Sequence, residues 1–281
     1  MAQNETLDWE TFEQRLKELR ANHQKESSPL LFRGQGNSDW PLTTTLERSG
    51  ARHMLFSEYY RLICASIGPE VKTFARVDVP EYNAELCKPF LKANLLYEIG
   101  DIFPIHVYRY MAYLRHFGFP SPLLDWSRSP FVAAFFAFRD ESPSGNREKR
   151  SIFVYCEKPE GLKGGTLGEP VIRQIGPYVQ THERHFRQRC DYTICGRFDE
   201  NYGWHFDSHQ AVFDREHPKQ DSLWKFDLPS SERKKVLAVL NDYNLNAFSL
   251  FGSEESLLET MWFREYVLRQ PTQSPVRDWR P

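Results

Sequence analysis

A chain of 281 residues, 40% hydrophobic and 15% aromatic, holds enough apolar material for one sizeable core. A formal net charge of -2 excludes a globally basic nucleic-acid binder, while leaving room for a local positive groove. Five cysteines, an odd number without CxxC spacing, argue against a disulfide framework or a structural zinc site and for a reducing, cytoplasmic compartment.

The first residues lack a basic segment followed by an apolar run, so no signal peptide is expected. No stretch approaches the roughly 18 apolar residues that crossing a bilayer requires, so no membrane partner is expected either. Residues 6–25 read as an amphipathic helix, with Trp9, Phe12, Leu16 and Leu19 at helical spacing. The apolar run 29–33 reads as a strand that ends at Arg33, where Gly34, Gln35 and Gly36 impose a turn. Residues 45–66 and 83–98 are helical in pattern, and 105–116 form a further helix that Gly118 and Pro120 close. A constrained turn spans 121–127. Ser129 and Pro130 then supply an N-cap and a first helical residue for the apolar segment 131–138, which belongs in the centre of the core.

The run 151–156 is the clearest strand, apolar enough for burial on both faces, and shorter strands are expected at 169–175, 191–195 and 223–228. Helices at 231–243 and 254–268 close the chain. Helices early and strands later specify an α+β class: a helix-rich N-terminal part around a mixed or antiparallel β core.

Three constellations can carry chemistry. An arginine at a strand end beside two glycines, Arg33 with Gly34 and Gly36, can approach a phosphate bidentately; equally, it can pair with a core carboxylate. His116, Asp125, Trp126 and Ser127 crowd one constrained segment, either lining a pocket or forming the network that holds the turn. Arg184, Arg187, Arg189 and Arg197, interleaved with His185, Phe186, Tyr192 and Phe198, can track a nucleic-acid backbone and stack bases, or form a solvated face. The neighbouring arginines would lower a thiol pKa at Cys190 or Cys195, although no supporting His and Asn pattern is present. The nine histidines, among them His182, His205, His209 and His217, form no HExxH or comparable motif, so no metal is expected.

Together these segments resemble the FRG domain family, whose name-giving Phe-Arg-Gly stands here as Phe32-Arg33-Gly34. The family's His-Tyr-Gly-Leu-Pro-Thr-Arg-Leu-Leu-Asp-Trp-Thr block is similar to the segment from His116 through Leu123, Leu124, Asp125 and Trp126 to Ser127. Looser likenesses lie at Gln188 to Thr193 and at Leu250-Phe251-Gly252. The resemblance covers roughly residues 28–265 and implies an FRG domain over 28–270, preceded by an N-terminal helix within 1–27 and followed by a tail at 271–281.

FRG domains in turn look like distant ADP-ribosyltransferases, which implies a β core of that type and NAD as the substrate. The implied catalytic set is Arg33 for the NAD phosphate or ribose, Ser127 supporting the nicotinamide pocket, and Gln188 steadying the ribose as nicotinamide leaves. Gly34, Gln35, His116, Asp125, Trp126, Ser127 and Tyr192 join Arg33 as implied NAD-binding residues, with Trp126 or Tyr192 stacking on the ring. Gln188 departs from the glutamate of the best-known transferases and cannot ionise, which brings Asp191 and Glu183 forward as alternative carboxylates. The resemblance further implies a cytoplasmic toxin of a toxin–antitoxin or phage-defence system, modifying RNA, DNA or protein and restrained by a cognate antitoxin. Two other expectations stand beside it: a non-catalytic nucleotide- or protein-binding module, and a metal-dependent nuclease built on Asp125 and His116.

Overall fold

The computed structural model describes residues 4–75, 77–92, 103–141, 148–164, 167–176 and 183–269. The expected tail at 271–281, His182, and residues 93–98 of the expected 83–98 helix lie outside them.

Eight strands form one sheet: β1 (Asn4–Thr6), β2 (Leu31–Gln35), β3 (Leu123–Ser127), β4 (Lys149–Cys156), β5 (Val171–Gln174), β6 (Cys190–Asp199), β7 (Gly203–Phe206) and β8 (Ser222–Pro229). Their order is β1-β8-β4-β2-β3-β6-β5, with β7 also on β6, and every pair is antiparallel except β1 with β8. The α-helices are α1 (Trp9–Ala21), α2 (Thr45–Arg48), α3 (Phe56–Arg61), α4 (Gly68–Ala75), α5 (Ile105–His116), α6 (Pro130–Phe138), α7 (Glu183–Arg187), α8 (His209–Phe213), α9 (Arg233–Asp242), α10 (Ala247–Phe251) and α11 (Glu254–Trp262). The fold is α+β.

The sheet has a weak seam. β2 pairs with β4 over five residues and β3 with β6 over five, but β2 and β3 share the single pair Phe32↔Ser127. Two half-sheets therefore join at one point and part beside it. A separate apolar cluster covers each half. α1, α6 and α9 pack with Phe32, Ile152, Val154 and Phe226, while α3 and α5 pack with Leu123, Tyr192 and Ile194. A third cluster, built on Leu31, Tyr155, Leu124 and Trp126, lies under α8.

Local grammar explains the central helix. Ser129 Oγ accepts the Val132 amide, Pro130 opens α6, and seven of its nine residues are buried, as an all-apolar helix requires. α6 lies directly on β2, because Gly34 has no side chain. A Cβ there would stand 1.9 Å from the Ala133 carbonyl oxygen.

Several sequence expectations are corrected. The segment 121–127 is not only a turn, since Leu123–Ser127 is an interior strand. Its register is set by five pairs to β6, which short-range patterning cannot reveal. The expected 45–66 helix is broken: α2 ends at Arg48, Gly50 takes φ 90°, and α3 restarts at Phe56 before a π-helical turn, Leu62–Ser66. The described part of 83–98 is a 3-10 helix, Ala84–Leu91, with Pro89 inside it. No helix among the described residues is long and apolar enough to cross a membrane.

Candidate functional site

Where β2 and β3 part, a cleft of about 880 Å³ opens between the half-sheets. That volume lies within the roughly 300–1,000 Å³ of small-molecule and cofactor sites. Its walls come from β2 and the loop after it, the ends of α2 and α5, strand β3, α6, and the turn at Gln188.

Arg33 sits at the seam. Its Nη1 donates to the main-chain carbonyl of Asp125 at 2.6 Å, so a side chain bridges the strands where their ladder has stopped. The Asp125 carboxylate accepts Arg115 Nη2 at 2.8 Å on Oδ2. Arg48, from the end of α2, donates to the Thr43 carbonyl and also lines the cleft, as does Arg184 of α7. The lining thus carries four guanidiniums against two carboxylates, Asp125 and the exposed Asp140. Burial pushes the Arg33 guanidinium down to about 10; Asp125 opposes the fall, and Arg115 and Arg48 add to it. Burial and the proximity of Arg115 likewise lower Arg48. Three cations crowd one another here, and a bound anion would relieve all three.

The cleft also gathers unsatisfied polar atoms. Arg33 Nε, Arg115 Nε, Gln35 Oε1 and Asp125 Oδ1 are shielded from solvent without a hydrogen-bond partner. Buried polar atoms are ordinarily paired, so these four are an unusual concentration in the wall of one cavity, although none presents surface to it.

Of the sequence-expected residues, Arg33, Gly34, Gln35, His116, Asp125, Trp126, Ser127 and Gln188 line this one cleft. Three of them are engaged elsewhere. Ser127 Oγ donates to the Gln188 carbonyl at 2.7 Å and accepts the Ser129 amide at 3.0 Å. The Gln188 side-chain amide donates to the Leu250 carbonyl of α10. The Trp126 indole is buried, stacked on Tyr155, and donates to Thr193 Oγ1 at 2.9 Å.

Tyr192 does not line the cleft. It lies fully buried behind it, its hydroxyl within hydrogen-bond distance of His116 Nε2 (2.9 Å) and His185 Nδ1 (3.2 Å), so the expected stacking on a ligand ring is corrected to a bridging role. Asp191 is also fully buried, accepting Arg128 and Gln174 side chains and the Tyr192 amide. Glu183 is an exposed partner of Arg187 on α7. Neither alternative carboxylate reaches the cleft lining.

The interleaved basic strip is not an aromatic platform. His185, Tyr192 and Phe198 are buried, leaving Phe186 exposed, and Arg187 and Arg197 pair with Glu183 and Asp207. Cys190 and Cys195 are buried, and burial pushes both thiols up, the opposite of activation. Among the described residues, one group of metal-type ligands comes together, His53, His205 and Asp207, and none of them lines the cleft. Arg197 already donates to His205 Nε2 and lies 2.9 Å from Asp207 Oδ2, so a cation occupies that group.

Sequence reasoning missed Arg48 and Arg115. Arg115 immediately precedes His116 on α5, a signal that was available; Arg48 enters only because α2 ends where it does. A family model described as FRG domain matches residues 28–146. That span contributes Arg33, Arg48, Arg115, Asp125 and Ser127, while Arg184 and Gln188 lie beyond it. No curated protein and no solved structure matches the chain.

Proposed function

This chain carries an FRG domain, and from that premise we propose that it is an NAD-dependent mono-ADP-ribosyltransferase whose substrate lies in the cleft at the β2–β3 seam. One observation carries the reading: Arg33, Arg48 and Arg115 converge on a cavity of cofactor size. A dinucleotide diphosphate supplies the negative charge this cluster lacks, and its ribose hydroxyls supply donors for the Asp125 carboxylate, whose side chain is 30% exposed. In the transfer, the bond between nicotinamide and ribose C1′ breaks with its electron pair leaving on nicotinamide. A nucleophile on the acceptor then bonds to C1′ and releases its proton to water.

The resemblance to toxin-type FRG proteins extends the proposal to a cytoplasmic effector that modifies RNA, DNA or protein and is held in check by a cognate antitoxin. Purified chain incubated with NAD labelled in its ADP-ribose part, plus cell extract, tests this. Label on macromolecules that Arg33→Ala abolishes is the expected result, and nuclease or protease sensitivity of the label identifies the acceptor class. A wild-type chain that leaves NAD neither bound nor cleaved overturns the proposal.

A second reading, a nucleotide-binding module without turnover, is favoured by the internal engagement of Ser127 and Gln188. It predicts saturable NAD binding with no release of nicotinamide.

A further inference from the structure

Transfer of ADP-ribose develops positive charge on ribose C1′ and O4′ as nicotinamide departs, and a carboxylate fixed beside that ring stabilises it. Position 188 offers an amide instead, and it is turned to the Leu250 carbonyl. Asp191 has its oxygens taken by Arg128, Gln174 and a main-chain amide. Glu183 points to solvent, 78% exposed.

We propose that Asp125 is the catalytic carboxylate, accepting the 2′-hydroxyl of the nicotinamide ribose; this inference rests on the transferase reading above. The two oxygens of Asp125 are not equivalent. Oδ2 is held by Arg115 at 2.8 Å, which fixes the plane of the group. Oδ1 has no partner among the described residues, and the side chain, 30% exposed, lines the cleft. The same residue's carbonyl is bonded to Arg33. The carboxylate is therefore one residue's reach from the guanidinium assigned to the diphosphate. In NAD the nicotinamide ribose joins that diphosphate through its own C5′, so the two groups of the protein match two adjoining groups of one ligand.

During the reaction the C1′–nitrogen pair leaves with nicotinamide, which becomes neutral. The charge left on the ribose faces Asp125, and the 2′-hydroxyl keeps its proton while donating to the carboxylate. The acceptor's lone pair closes the new bond to C1′, and its proton passes to solvent. Asp125 is neither consumed nor protonated.

The test uses the full chain and two readouts, NAD affinity by equilibrium dialysis and nicotinamide release from NAD with water or extract as acceptor. Asp125→Asn is expected to hold NAD affinity within about threefold while turnover falls roughly 10²- to 10³-fold. Asp125→Glu keeps the charge but moves it, so it retains more turnover than Asp125→Asn; it also serves if the asparagine variant does not fold. Gln188→Glu, which restores a carboxylate at the position used by well-known transferases, is expected to give no gain. Turnover by Asp125→Asn within threefold of wild type, or a gain in Gln188→Glu, overturns this inference while leaving the transferase reading intact. A wild-type chain that releases no nicotinamide removes that reading, and this inference with it.

Discussion

The hydroxyl of Ser127 donates its proton to the main-chain carbonyl of Gln188 across 2.7 Å. The two residues are thus partners in one buried bond that ties β3 to the turn leading into β6, and the same oxygen accepts the Ser129 amide. Ser127→Ala leaves a buried carbonyl and a buried amide unmatched, a loss of about 1–3 kcal/mol. Urea unfolding should show that loss, with NAD affinity changed far less than stability. Full stability with NAD turnover abolished would instead assign the hydroxyl to the substrate.

Gly34 fixes how closely α6 approaches β2. An added methyl would stand 1.9 Å from the Ala133 carbonyl oxygen and 2.6 Å from the Ala137 amide nitrogen, both helix backbone rather than movable side chain. Gly34→Ala must push α6 off the strand, at a cost of about 1–3 kcal/mol or more. Because α6 and β2 both wall the cleft, NAD affinity should fall together with the melting temperature. A variant with unchanged melting temperature would show that α6 moves away freely.

These two glycine and serine positions show what the sequence could and could not reveal. The cap-and-proline start of α6 was legible because a cap is a local event, whereas the turn expected at Gly34 is strand, since β2 runs on through Gly34 to Gln35 against β4. Arg33, Asp125 and Ser127 were legible as polar residues in apolar or constrained settings. Their partners were not, because the bonds from Arg33 to Asp125 and from Ser127 to Gln188 span 92 and 61 residues of chain. The strand β3 was hidden for the same reason: its five pairs run to residues about seventy positions later. Tyr192 looked like an exposed stacking surface in a basic run, yet it is the cross-strand partner of Asp125 and is fully buried, its hydroxyl held between His116 and His185.

Arg48 offers a clean probe of the anion-binding charge, since it is exposed at the rim and its guanidinium bonds the nearby Thr43 carbonyl. Arg48→Gln should weaken NAD binding roughly three- to tenfold at low salt. The difference should shrink near 0.5 M salt, where a rim charge is largely screened. Folding stability should stay within about 0.5 kcal/mol of the parent. Equal NAD affinity for variant and parent at low salt would remove Arg48 from the anion site.

His209 sets an acid limit on the fold. It is fully buried on α8, its Nε2 lies 3.0 Å from Thr193 Oγ1, and its Nδ1 has no partner. Burial, reinforced by the charge of Arg33, holds its pKa down to about 3, against an ordinary value of 6.5. The folded-state value is the lower one, so between these limits the unfolded chain takes up a proton that the native chain refuses. Stability from this group is fully present above pH 6.5 and is lost as pH falls toward 3. At 1.36 kcal/mol per pH unit the loss is on the order of 2 kcal/mol by pH 5. Replacing the imidazole with a group that does not titrate, His209→Gln, lowers stability at pH 7 through poorer packing but should remove that slope. Urea unfolding of both chains at pH 7 and pH 5 measures the difference, in which the contributions of shared carboxylates cancel. An equal loss in the two chains would mean that the proton enters elsewhere. The shrinking gap expected instead would place the acid-sensitive group on α8, next to the Trp126–Thr193 bond that backs the cleft.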